Sequence, residues 1–223
     1  MVDTATRAAW TTRRIDPPRQ TATRLGTAVH WTGSPLTISS HHDCLRHLRA
    51  VEEYHVGVKG MSSLAYCQGA CRHGVLIEGR GAMAQSGANG SVEANRGYGS
   101  VVALVGTTET LTDAEWDNIH AAILEAARLQ AMGKPLVTHN DIRPDPTACP
   151  GPDLTAWIES GYPPPVEDDV PLSPEDIKRI WTSPVGGAPG QPGWWQALNA
   201  QLDEIRQQNA EIKAALDAMK GTP

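Results

Sequence analysis

Three side chains of metal-ligating type stand where a folded chain could bring them together. His30 closes the apolar run Leu25-Gly-Thr-Ala-Val-His30, His139 closes Leu136-Val-Thr-His139, and Cys149 lies in Thr147-Ala-Cys-Pro-Gly151. Two imidazoles and a thiolate suit zinc, and three protein ligands are the number catalytic zinc sites use while keeping a fourth position for water. Such a site carries net positive charge, lowers the pKa of bound water to about 7 and polarises a carbonyl. The ligand types permit this chemistry without requiring it. The chain has 8 histidines, and any single one more often serves structure or surface.

A second crowd of such residues, His41, His42, Cys44 and His47, surrounds a helix start. Around a helix these four point in several directions, only Cys44 and His47 share a face, and two ligands make a poor zinc site, so surface or helix-cap roles are expected. Four cysteines, Cys44, Cys67, Cys71 and Cys149, could make two disulfides. Without an export signal, free thiols or a metal ligand are the expectation. Cys67 and Cys71, four apart on one strand, would stand roughly 13 Å apart, beyond the ~4.4–6.8 Å a disulfide spans. Cys67 reads as a small buried hydrophobe.

The elements that must position these groups alternate between strand and helix. Leu25–His30 is a short apolar strand, followed by a turn at Gly33–Pro35. Ser40 and Asp43 form a capping box for a helix carrying Leu45, Leu48, Val51 and Tyr54 up to Gly57. Tyr66–Ala70 and Val75–Glu78 flank Arg72-His73-Gly74 as a hairpin, and Val101–Val105 adds a strand. Thr112 and Glu115 cap a long helix with Trp116, Ile119, Ile123 and Ala127 on one face, ending before Gly133. Leu136–His139 and a short Asp153–Ile158 helix complete it. The pattern predicts an α/β domain over residues 1–162, a mixed central β-sheet flanked by helices.

Past Pro163-Pro-Pro165 the composition turns to an acidic, Pro/Gly-rich linker over residues 163–193, with one short helix capped at Ser173. Residues 194–221 then carry Trp195, Leu198, Leu202, Ile205, Asn209, Ile212, Leu216 and Met219 as a heptad seam. That is a coiled coil or a docked helix. Asn209 at a core position favours self-association, with dimer, trimer and tetramer all open.

Four ordered blocks carry a family resemblance: Val29-His-Trp-Thr-Gly33, Ala65-Tyr66, His73-Gly-Val-Leu-Ile-Glu-Gly-Arg-Gly81, and Thr138-His139 through Thr147-Ala-Cys-Pro-Gly151. Over approximately residues 10–160 the chain resembles the type 2 N-acetylmuramoyl-L-alanine amidases, which include phage endolysins and peptidoglycan recognition proteins. The resemblance implies zinc held by His30, His139 and Cys149, with Tyr66 and Thr147 as polar catalytic groups. It implies hydrolysis of the amide between N-acetylmuramic acid and L-alanine, with bacterial peptidoglycan as the partner. Glu78, Asp141 and Asp145 are nearby carboxylates, none assigned as general base, and Arg80 either positions substrate or pairs with Glu78. The chain departs from the family in three places. The His139–Cys149 segment is slightly longer and holds Pro144 and Pro146. Cys44 matches half of a disulfide of animal recognition proteins whose partner is missing, so it is expected as a free thiol. Asn89 replaces a histidine of many relatives, implying an altered substrate contact.

Composition narrows the setting. With 223 residues, 40% hydrophobic, the chain can fill one core plus an appendage, and a net charge of -6 leaves no electrostatic footprint for nucleic acid. No stretch approaches eighteen apolar residues, so no membrane insertion is expected. A wall-degrading domain without an export signal fits a phage endolysin held in the host bacterial cytoplasm before lysis. The rival readings are a non-catalytic peptidoglycan-binding protein and an amidase-fold interaction protein.

Overall fold

The structure is a computed structural model, and it describes residues 2–143, 145 and 147–162. The linker and heptad expectations, residues 163–193 and 194–221, lie outside the described residues, as do Pro144 and Pro146. Among the described residues no helix is long and apolar enough to cross a membrane.

One sheet organises the domain. Its strands are β1 (Asp3–Ala5), β2 (Gly26–Trp31), β3 (Gln68–Cys71), β4 (Val75–Glu78), β5 (Tyr98–Ala103) and β6 (Leu136–Thr138), in the order β1-β4-β3-β5-β2-β6. Only the β3–β4 hairpin is antiparallel; the other neighbours run parallel, so the mixed sheet expected from the sequence is present. The hairpin turns at Gly74, whose φ of +76° is a conformation glycine adopts without a Cβ penalty.

Helices cover both faces. Helix α1 (His41–Gly57) starts at the Ser40/Asp43 capping box and buries Cys44, Leu48 and Glu52, one residue per turn along a single stripe. It packs with Trp10, Leu64, Ile77, Val102 and Leu104 on one face of the sheet. Helix α3 (Asp113–Ala131), capped by Thr112 and Glu115, buries Ile119, Ala122, Ile123 and Ala126 on the other face. There it meets Val29, Leu76, Val101 and Ala103, with Leu154 and Trp157 of α4 (Pro152–Glu159). Because successive strand residues face opposite ways, Val29 and Val101 enter one core while Val102 enters the other.

Three features were not expected from the sequence. Strand β1 has no apolar run and is held by its register with Val75–Ile77. The short helix α2 (Val92–Gly97) rests on a Ser91 cap rather than an apolar stripe. Cys44 is not a free thiol: it is bonded to Cys71, with the α-carbons 6.0 Å apart, while Cys67 and Cys149 are free. The partner was missed because it lies on β3, which α1 reaches only by packing across the sheet.

A buried polar knot ties the N-terminal segment to α1. Glu52, 2% exposed, pairs with Arg7 and accepts hydrogen bonds from the Thr11 hydroxyl at 3.1 Å and the Leu64 N–H at 3.2 Å. A buried carboxylate is tolerable only when its lone pairs are satisfied in this way.

Candidate metal centre

Strand β2 runs between β5 and β6, and this sets two of the three side chains of metal-ligating type. His30 is the penultimate residue of β2, and His139 follows the last residue of β6. The turn at His139 is fixed locally: the Asp141 carboxylate accepts from the Thr138 N–H at 2.6 Å, and the Thr138 hydroxyl accepts from the Asp141 N–H at 3.2 Å. The Asp141 carboxylate thus holds the turn. Cys149 arrives from the loop before α4, placed by its own N–H donating to the Thr147 hydroxyl at 3.1 Å. That hydroxyl in turn donates to Asn140 Oδ1 at 3.2 Å.

The three ligand-type atoms come together. The ligand atoms of His30, His139 and Cys149 lie within 4.8 Å of one another, and the two imidazole centroids are 4.4 Å apart. Cys149 Sγ lies 3.7 Å from His30 Nδ1.

His30 is 1% exposed and His139 9% exposed. Burial first, then the neighbouring His139, pushes His30 down to about 3. Burial and then Arg143 hold His139 below the usual imidazole value. Both rings are therefore neutral at physiological pH and present lone pairs. Burial pushes the Cys149 thiol up to about 11, opposed by the Trp31 backbone N–H and by Arg143.

Asn89 settles the His30 tautomer. Its Nδ2 donates to the carbonyls of Ala94, Tyr98 and Gly99 at 3.2, 3.1 and 3.4 Å, which fixes the amide with its oxygen facing His30. Asn89 Oδ1 lies 3.0 Å from His30 Nε2. An oxygen there can only accept, so Nε2 carries the proton and Nδ1 keeps its lone pair toward Cys149. This is the outer-shell arrangement that orients histidine ligands. The altered substrate contact expected at Asn89 is replaced by this role, because Asn89 is fully buried behind His30. Sequence offered no signal for it, since the two residues are 59 apart.

His139 supplies the test of fit for a metal. Both its ring nitrogens are buried and have no hydrogen-bond partner among the described residues. A buried polar atom left unpaired costs about 1–3 kcal/mol. A cation shared with His30 Nδ1 and Cys149 Sγ would satisfy one nitrogen, so the residues present fit the group.

Tyr66 borders the same cluster, its ring centroid 5.2 Å from that of His30. Burial, and then Cys149, raises its hydroxyl above the usual phenol value, so it stays protonated. Tyr66 also lines a groove of about 390 Å³ with Thr32, His47, Val51, Tyr54 and His55. His55, another residue the sequence did not single out, accepts from the Ala65 N–H through Nδ1 at 3.1 Å. The remaining candidates are structural in their contacts. Arg80 donates to the carbonyls of Leu64 and Gln85 rather than pairing with Glu78, and Glu78 accepts from the Arg7 N–H. Asp145 is exposed beside Arg143.

This sheet, with its helices and with His30 and His139 at strand ends meeting Cys149 from the loop before α4, has the fold shared by the peptidoglycan recognition proteins and the amidases of type 2. Among solved structures, Drosophila PGRP-LB is similar at a TM-score of 0.60 and 20% identity, over 75% of this chain and 99% of that one. Human PGRP-IBETAC, solved in complex with glycosamyl muramyl pentapeptide, gives 0.56 and 19%, over 70% and 94%. Peptidoglycan recognition protein-LE, solved in complex with tracheal cytotoxin, a monomeric diaminopimelic acid-type peptidoglycan, gives 0.58 and 16%, over 73% and 96%. No protein-family model matches the chain, and no curated protein matches it.

Proposed function

We propose that the chain is a zinc-dependent N-acetylmuramoyl-L-alanine amidase that cleaves peptidoglycan. The observation that carries this reading is the convergence of His30 Nδ1, the His139 ring, which has no hydrogen-bond partner among the described residues, and Cys149 Sγ beside a groove bordered by Tyr66. Zinc bound there would supply Lewis acidity, activating water and polarising the lactyl carbonyl of the muramic acid. His30 and His139 would hold it as neutral imidazoles, and Cys149 would give up its proton on binding.

Tyr66 keeps its phenolic proton and so can donate a hydrogen bond to the carbonyl oxygen as negative charge develops there. Thr147 holds the Cys149 amide, and its hydroxyl would reach substrate as a second donor by exchanging Asn140 for it. The groove beside Tyr66 would take the peptide stem or the glycan, in line with the peptidoglycan fragments seen with the similar folds. Cytoplasmic storage in a phage-infected host, with release at lysis, is part of the proposal.

The test is incubation of the zinc-loaded full-length protein with purified cell walls, reading newly exposed L-alanine amino termini. Release is expected, falling to background in Cys149→Ala. Absence of release, with wall binding retained, would make the protein a binder instead.

A further inference from the structure

The Cys44–Cys71 disulfide sits among imidazole nitrogens that the amidase reading does not use. Cys44 lies in the first turns of α1 and Cys71 ends β3, both fully buried. His73, in the exposed turn after β3, places Nδ1 3.4 Å from Cys71 Sγ and 3.9 Å from Cys44 Sγ. His41, the first residue of α1, places Nδ1 3.6 Å from Cys71 Sγ. The ligand atoms of Cys44, Cys71 and His73 all lie within 4.8 Å of one another, and His41 stands outside that trio, touching it through Cys71. In a tetrahedral zinc site, bonds of about 2.3 Å to sulfur and 2.0–2.1 Å to nitrogen put neighbouring sulfur and nitrogen about 3.6 Å apart. The three sulfur–nitrogen distances here bracket that value.

We propose that Cys44, Cys71, His41 and His73 form a second, redox-gated zinc site of structural Cys2His2 type, which binds the ion when the cysteines are reduced and releases it when they are joined. The chemistry balances with a dithiol as reductant. One dithiol sulfur attacks the disulfide to give a mixed disulfide, and the second sulfur resolves it. Two electrons and two protons pass to Cys44 and Cys71, and the dithiol leaves as its own disulfide. Zn2+ then displaces the two thiol protons and takes two thiolates and two neutral imidazoles. In either state the pair clamps the start of α1 to the end of β3, by a covalent bond or by a metal. The exposed position of His73 opens the site to solvent. His41 and Cys44, expected to serve the helix start or the surface, acquire ligand partners only because the hairpin brings Cys71 and His73 to them.

The test measures Zn2+ bound per full-length chain by competition with a chromophoric chelator, in metal-free protein that is either oxidised or reduced with a phosphine. Reduced protein is expected to bind one equivalent more than oxidised protein. The reading is a difference, so it holds whether or not the His30/His139/Cys149 cluster binds zinc. His73→Ala, a change at an exposed turn, is expected to lose the extra equivalent while thiol titration still shows the Cys44–Cys71 disulfide forming on oxidation. In Cys149→Ala, Co2+ should give a sulfur-to-cobalt charge-transfer band only after reduction. Equal stoichiometry in the two redox states would overturn the site. So would an extra equivalent that survives His73→Ala.

Discussion

Replacing Asn89 with leucine keeps the number and branching of the side-chain heavy atoms and removes every polar atom that orients His30. In the native protein Asn89 Oδ1 accepts from His30 Nε2 at 3.0 Å, and both residues are essentially fully buried. Leucine leaves that N–H without an acceptor, at a cost of about 1–3 kcal/mol. The ring can relieve the cost by moving its proton to Nδ1, but that nitrogen faces Cys149 Sγ at 3.7 Å and is the one a metal needs. Metal binding must then reverse the shift, so affinity should fall about 10–100-fold, the usual effect of losing an outer-shell partner, or about 1.4–2.7 kcal/mol. The assay is zinc competition against a chromophoric chelator, with a thermal melt as the control for folding. Asn89→Asp separates the two functions of the side chain. It keeps the acceptor for His30 but loses the donor to the carbonyls of Ala94, Tyr98 and Gly99. It should therefore hold zinc while lowering the melting temperature. A folded Asn89→Leu protein with wild-type zinc affinity would refute the tautomer argument.

Tyr66→Phe should lower kcat about 100-fold with zinc content unchanged, as loss of an oxyanion donor does; wild-type kcat would remove Tyr66 from the chemistry. Gly151→Ala should destabilise the domain by about 1–3 kcal/mol, since φ is +91° there and a Cβ would lie 2.6 Å from the Trp31 ring; urea melts read it, and zinc affinity should drop with it because Cys149 is two residues away. His120 stacks on Trp157 at 4.0 Å, and burial pushes it from 6.5 down to about 4. The unfolded chain therefore binds more protons than the fold between those values, so stability is complete above about pH 6.5 and declines as pH falls toward 4. His120→Gln should flatten its share of that slope, and a melting profile as steep as wild type would contradict the assignment.

Local elements were legible in the sequence because their signals are local. The Ser40/Asp43 and Thr112/Glu115 boxes place the starts of α1 and α3 through contacts spanning three residues. The β3–β4 hairpin follows from its apolar runs and Gly74. Strand β1 and helix α2 were illegible because neither carries periodic apolar residues; one depends on pairing with β4 and the other on a single cap.

Of the site, residue types alone only permitted a metal at His30, His139 and Cys149; the family resemblance is what singled out that trio and added Tyr66 and Thr147 as candidates. What only tertiary structure decided is which groups face one another. The parallel placement of β2 between β5 and β6 brings His30 against His139, and loop packing sets Asn89 behind His30 across 59 residues. Docking of α1 on the sheet joins Cys44 to Cys71 across 27 and surrounds the pair with His41 and His73. Periodicity and capping record what a residue does with neighbours three or four positions away. Contacts between elements depend on strand order and on the face each helix buries, and those arise only when the whole core packs at once.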